Sequence, residues 1–328
     1  MPGAPAVVSV EPLADEVWLV GLSDGGRLVA KHQFYGLLTH GEPYDLLGTE
    51  LQVLRALRWV GCPVPGVFGA DAGSQLLFLE DAGPRTLAAA LTATPGPRAE
   101  ERGRWARLLF EGLVQTERVL ADEGRWGGSV VPGGSRPDLE RAWSAATAAA
   151  SESLERLLGY LGAPRPEAAR HPVLAALEGL TASLGRRPPC LGPTDYQPGN
   201  LVLDAAGARL TFLELGKLGW DWSERRAVQY ATCALAPERP GLVDAAAATA
   251  WAELAGQEGG GAGRVALDGH HLVYHLLLAR RVLEADLPAA ALTRVLGALG
   301  APLSGDPAAL AIRRCLAAAN PHLETPRA

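Results

Sequence analysis

Apolar positions along the chain follow two rhythms, alternating near the N-terminus and recurring every three or four residues thereafter. Residues 7–10, 17–22 and 27–32 are β-rich runs, and Ser23-Asp24-Gly25-Gly26 between the last two supplies the turn chemistry of a tight hairpin. From Asp45 the rhythm changes: Leu46, Leu47, Leu51, Val53, Leu54 and Leu57 predict a helix that stops before Gly61 and the Pro63/Pro65 pair. Two more strands are expected over residues 66–70 and 75–80. Asp81-Ala82-Gly83-Pro84 then punctuates the chain and marks the expected boundary between two parts.

Beyond it the pattern predicts helices over residues 86–91, 98–122, 137–161 and 166–184, separated by Gly/Pro-rich loops. One β interruption follows, residues 201–203 and 209–213 around a turn at 204–208, and helices resume over 223–235, 242–255, 264–285, 288–299 and 307–318. No fixed-period repeat is visible. The expected fold class is α+β: a small antiparallel sheet with one helix, then a larger and mainly helical part.

Composition narrows the function classes. A chain of 328 residues, 48% of them hydrophobic, can build one large domain or two modest ones. The net charge of −6 offers no broad basic face, so no nucleic-acid partner is expected. The start, Met1-Pro2-Gly3-Ala4-Pro5-Ala6, lacks the regions of a signal peptide, and no run of about 18 uncharged apolar residues occurs. A cytoplasmic protein without membrane attachment is expected. Cys62, Cys190, Cys233 and Cys315 are scattered without C-x-x-C spacing, as suits reduced thiols. Oligomeric state leaves no trace in the sequence.

Of 30 basic residues only Lys31 and Lys217 are lysines. Where arginine is the default, a lysine marks a place for a compact ammonium on a flexible stem. Lys31 closes the predicted strand Arg27-Leu28-Val29-Ala30-Lys31, and Glu50 lies on the predicted helix that follows. Further on, Asp195-Tyr196-Gln197-Pro198-Gly199-Asn200 precedes the second hairpin and Phe212-Leu213-Glu214-Leu215-Gly216 ends it. Alone, the first of these is an ordinary turn, because turns use Asp, Pro, Gly and Asn. Lys31 with Glu50 alone is a surface ion pair worth at most about 1 kcal/mol.

In this order, however, the segments resemble the aminoglycoside phosphotransferase and choline kinase group, whose pattern is H-G-D-x-x-x-x-N followed by I-D-[FW]. The resemblance runs from Val17 to about Ala231 and includes Glu50 to Leu57 and the hinge-like Leu76 to Gly83. It implies a protein-kinase-like two-lobe fold, with residues 1–82 as the nucleotide-binding lobe and 83–328 as a helical lobe carrying the catalytic loop and acceptor site. The implied activity is ATP- or GTP-dependent O-phosphoryl transfer to a small hydroxylated metabolite or antibiotic-like acceptor. Asp195 would take the hydroxyl proton, Asn200 and Glu214 would hold Mg²⁺ through hard oxygen ligands, and Lys31, directed by Glu50, would meet phosphate. Phe78, Leu79, Glu80 and Asp81 would present backbone groups to the base.

Three departures from the pattern motivate a second reading, a kinase-fold protein with impaired catalysis that serves as a nucleotide-binding or interaction module. Between the first two strands the chain has Pro12-Leu13-Ala14-Asp15-Glu16, with two acids and no glycine to let backbone N–H groups cradle phosphate. Pro193-Thr194 stands for the histidine-glycine pair, and Glu214 for the metal-binding aspartate. In the next segment Asp221 matches an acid that braces the catalytic loop in relatives, and Arg225 or Arg226 is placed to pair with Glu224 or Glu214. Lys217 is expected to do no more than cap a turn.

Asp268, His271 and His275 share a helical face, with His270 adjacent, a spacing that zinc ligands also use. No fourth ligand is evident, so a structural or acceptor-lining role is expected for the histidines, with Asp268 and Glu284 as acceptor contacts. The tryptophans Trp105, Trp126, Trp143, Trp220, Trp222 and Trp251, mixed with scattered acids, leave the acceptor's identity open.

Overall fold

The computed structural model describes residues 5–33, 44–162, 167–255, 260–285 and 287–319. Pro166, where the sequence places the start of a helix, lies outside the described residues.

Residues Val7–Ala14 (β1), Val17–Leu22 (β2), Arg27–His32 (β3), Val67–Asp71 (β4) and Leu76–Glu80 (β5) form an antiparallel sheet in the order β1-β2-β3-β5-β4. The β2–β3 turn closes as its sequence dictates: Gly25 has φ +84°, and the Leu22 N–H donates to the Gly26 carbonyl at 2.9 Å. β1 runs four residues past its predicted end, pairing up to Ala14 opposite Val17, so that only Asp15 and Glu16 make the turn. Glu16 takes φ +59° there.

Between β3 and β4 lies helix α1 (Leu46–Trp59), capped by the Asp45 side chain, which accepts from the Gly48 N–H at 2.8 Å. Its Leu47, Val53, Leu54 and Leu57 are buried in a core shared with the sheet and with the following helices. After β5 the chain turns at Gly83, whose φ of +150° and close approach to the Leu203 carbonyl leave no room for a Cβ.

The remainder is mainly helical: α2 (Leu87–Thr92), α3 (Ala99–Leu120), α4 (Glu123–Trp126), α5 (Arg136–Tyr160), α6 (Glu167–Gly185), α7 (Ser223–Tyr230), α8 (Ala245–Ala255), α9 (Gly260–Glu284), α10 (Ala289–Gly300) and α11 (Pro307–Ala319). Short strands interrupt it. Arg85–Thr86 (β6), Leu201–Leu203 (β8) and Leu210–Phe212 (β9) form one sheet, and Cys190–Pro193 (β7) pairs with Leu218–Asp221 (β10). The pattern of apolar residues did not predict β6, β7 or β10: unlike β8 and β9, which flank the turn at 204–208, these short strands pair with partners distant in sequence and no hairpin turn links them. The helix expected over 223–235 ends at Tyr230 instead.

Two cores result. One joins α1, α3, α8 and the β8–β9 hairpin, and the other packs α5, α6, α9, α10 and α11. The α+β class and the order of a sheet part followed by a larger helical part agree with the sequence reading. No described helix is long and apolar enough to cross a membrane.

Candidate active site

Alternation along β3 puts Val29 and Lys31 on one face, the one that lines a cavity beneath the sheet. The Lys31 ammonium meets both carboxylate oxygens of Glu50 from α1, at 3.0 and 2.8 Å, and Glu214 Oε1 at 2.8 Å. Glu50 is 1% exposed and Lys31 8% exposed, so this is a desolvated cluster and not the surface pair that the two residues suggest by themselves. Gln33, two residues along the same strand face, donates its amide to Glu50. Burial works against the Lys31 charge, but the attraction of Glu50 and Glu214 outweighs it and its pKa lies above the ordinary lysine value.

Glu214 follows β9 with φ +57°, a left-handed conformation that glutamate adopts at a cost of about 1–2 kcal/mol. Its neighbours hold it there. Leu215 is fully buried in the first core, and Gly216 lies so close to α1 that a Cβ would come 2.7 Å from Leu46 and 3.0 Å from the Glu50 Cβ. The Tyr44 hydroxyl, just ahead of α1, is shared between the carbonyls of Gly216 and Ser129 at 2.7 and 2.8 Å.

The loop between β7 and β8 is anchored at both ends. Thr194 donates its N–H to the Lys217 carbonyl at 3.0 Å, and the Leu213 N–H donates to the Asn200 carbonyl at 2.8 Å. Within the loop the Asn200 amide nitrogen donates to the Asp195 carbonyl at 2.8 Å, which leaves its side-chain oxygen available. Asp195 is half-buried, and among the described residues its carboxylate accepts a hydrogen bond from Gln197 Nε2 alone, at 3.3 Å. Tyr196 donates its hydroxyl to Asp221, whose carboxylate also accepts from the Trp222 N–H and from Arg225 Nη1, each at 2.8 Å.

The pairings expected for Arg225 and Arg226 are therefore corrected. Arg225 pairs with Asp221, and Arg226, fully buried, pairs with Glu117 on α3 at 2.8 Å while donating to the carbonyls of Pro193 and Gly219. Glu224 belongs to Arg187 instead. Sequence could not reveal Glu117, which lies more than a hundred residues from its partner.

A cavity of about 410 Å³ lies between the first sheet and the β8–β9 hairpin. Lys31, Glu50, Asn200 and Glu214 line it, with Leu79, Glu80 and Asp81 along one edge and the apolar side chains of Val17, Val29, Val202 and Leu213 above and below. Phe78 and Asp195 are not among its lining residues. Phe78 is on the opposite side of the β5 pleat from Leu77 and Leu79. The Glu80 side chain is engaged elsewhere, accepting from the Gly66 N–H at 2.9 Å and pairing with Arg58 at 3.1 Å. Asp15 and Glu16 stay out of the cavity, and Glu16 is bonded to His32 Nδ1 at 2.6 Å. Arg85, which no motif marked, and Thr86, which with Leu87 stands behind the hinge-like segment of the resemblance, join the lining through the short strand β6.

The histidines of α9 make no metal site: among the described residues no group of three or more His, Cys, Asp or Glu side chains could hold an ion. All three are buried, and burial pushes His270 down to about 3 and His275 down to about 4, with His271 well below its ordinary value. Asp268 and Glu284, expected as acceptor contacts, have protein partners for their carboxylates. Asp268 is bound to Arg313 and Ser304 in the second core, and Glu284 belongs to a surface network with Arg156 and Arg280. Of the tryptophans, Trp105, Trp126 and Trp251 are core residues and Trp220 lies under Arg136, whose guanidinium is 3.8 Å from the ring centre.

Among solved structures, an aminoglycoside-3'-phosphotransferase of type VIII aligns with 81% of this chain and 93% of its own at 20% identity (TM-score 0.41). A choline/ethanolamine kinase family protein from Mesorhizobium loti aligns with 95% of this chain and 93% of its own at 16% identity (TM-score 0.45). A macrolide 2'-phosphotransferase of type I aligns with 89% of each chain at 12% identity (TM-score 0.47). No curated protein matches the chain. The sequence model of the APH phosphotransferase enzymes matches residues 10–252, well over half the chain, and the protein belongs to that family.

Proposed function

We propose that the protein transfers the γ-phosphoryl group of ATP or GTP to the hydroxyl of a small metabolite or antibiotic-like acceptor. One observation carries this: residues from four separate segments, Lys31, Glu50, Asn200 and Glu214, converge on a single cavity with an apolar roof and floor. Residues 1–82 then act as the nucleotide-binding lobe, with the backbone along Phe78 to Asp81 facing the base, and residues 83–328 supply the catalytic loop and acceptor site.

Lys31 is the cation for the nucleotide phosphates, aimed by Glu50. The donor set suits Mg²⁺: Glu214 brings a carboxylate that already holds a cation, the Lys31 ammonium, and Asn200 brings an uncommitted amide oxygen. Mg²⁺ held there would neutralise charge on the transferring phosphoryl group. Asp195 orients the acceptor hydroxyl and takes its proton, and Tyr196 on Asp221 fixes the loop that presents it.

A second reading, a nucleotide-binding protein without turnover, is favoured by the contact of Glu214 with Lys31, which sets the metal carboxylate and the phosphate cation on each other. Turnover decides between the two. With Mg²⁺ and ATP or GTP, a panel of hydroxylated acceptors should yield a phosphate ester, and Asp195→Asn should remove at least about a hundredfold of the rate, the usual worth of a general base, while nucleotide affinity stays near wild type. Equal rates in wild type and variant would refute the role of Asp195. Binding of nucleotide with no ester from any acceptor would favour the second reading.

A further inference from the structure

A second cavity, of about 220 Å³, lies between α5, α7 and α9 and shares no residue with the first. Its polar lining is Arg225, Gln229, His270, Tyr274 and Arg281, with Val228, Val273 and Leu277 on the apolar wall. The lining contains no carboxylate.

The donors there are largely unspent. A guanidinium has five N–H groups, and Arg225 commits one of them, to Asp221. Among the described residues no carboxylate pairs with Arg281, and the side chains of Gln229 and Tyr274 have no hydrogen-bond partner. His270 is 2% exposed, and neither of its ring nitrogens is bonded. Buried polar groups are normally satisfied. The His270 ring packs between Trp143 and Trp222 at the back of this lining, and two guanidiniums with N–H groups to spare, on a cavity without a carboxylate, describe a place built for something that accepts hydrogen bonds.

We infer that this cavity binds a small organic anion, with its carboxylate or phosphate group on Arg225 and Arg281 and an apolar body against Val273 and Leu277. Its volume is below the roughly 300–1,000 Å³ of pockets for drug-sized ligands, which limits the ligand to metabolite size. The absence of acids argues against the amines and amino sugars that an acidic pocket would select. The inference does not rest on phosphoryl transfer. The site is nevertheless wired to the catalytic loop, because Arg225 and Tyr196 share the carboxylate of Asp221.

Calorimetric titration of the full chain with 4-hydroxyphenylacetate, and with tyramine as its cationic counterpart, tests it. The acid should bind saturably and tyramine should not. Arg281→Gln, which removes an exposed and unpaired side chain, should weaken the acid about tenfold, and Ala146→Leu, which fills the cavity from α5, should abolish binding. Equal binding of tyramine, unchanged binding in both variants, or no saturable binding of the acid at millimolar concentration would overturn the inference. Phosphorus NMR with Mg²⁺ and ATP then separates two sources of the anion: an aryl phosphate marks an acceptor, and its absence alongside saturable binding marks an effector.

Discussion

Lys31 was the clearest signal in the sequence, and rarity is what made it so: in a chain with one other lysine, Lys217, and arginine elsewhere, it had to be explained. What the sequence could not show is that two carboxylates share that ammonium, since Glu214 arrives from 183 residues away through the β8–β9 hairpin. Removing a charge from such a buried cluster leaves its partners uncompensated. Lys31→Met is expected to cost about 3–5 kcal/mol in urea unfolding, and adding Glu50→Met should recover part of it. The histidines of α9 teach the opposite lesson, for ligand-like spacing there produced three buried neutral rings. Their folded pKa values lie below the unfolded value, so their contribution is intact above about pH 6.5 and is lost as pH falls toward 4 and then 3. His270→Phe, between Trp143 and Trp222, should flatten the acid limb of stability against pH by up to about 1.4 kcal/mol per pH unit. An unchanged limb would mean that His270 is charged in the fold.

At the scale of elements, helix α1 and the β2–β3 hairpin were legible because each announces itself locally, one through Asp45 and its apolar face, the other through Ser23 to Gly26. The β7–β10 pair was not, because its strands are held by Arg226 reaching the Pro193 and Gly219 carbonyls and not by any pattern of their own. The contact of Gly216 with α1 couples two elements that sequence treats separately. Gly216→Ala should push α1 outward and lengthen the Lys31–Glu50 contact. We expect a loss of about 1–3 kcal/mol from overpacking together with weaker nucleotide binding, both read from melting curves with and without nucleotide. Full retention of nucleotide affinity would show that α1 can shift without disturbing the cavity.

For the whole molecule, order along the chain was the readable quantity: five weak motifs in sequence gave the division into sheet and helical parts, and the family match covers the same stretch. The second cavity was not readable, since its lining comes from three helices whose packing no local pattern encodes. A nucleotide at 100 times its Kd should raise global stability by about 2.7 kcal/mol, so melting with ATP or GTP, each with Mg²⁺ or chelator, tests the nucleotide binding proposed above, and loss of the shift in Lys31→Met would tie it to the first cavity. The two-residue turn at Asp15 and Glu16 adds a further consequence. A roof paired as a strand ladder almost to its tip offers at most two backbone N–H groups to an anion, so under the proposed function charge recognition would rest on Lys31, Arg85 and any divalent ion, with the apolar walls left to meet the base. Adenosine or guanosine should therefore compete with its own triphosphate far better than it does in enzymes whose glycine loops wrap the phosphates, and chelation of metal should narrow that gap further.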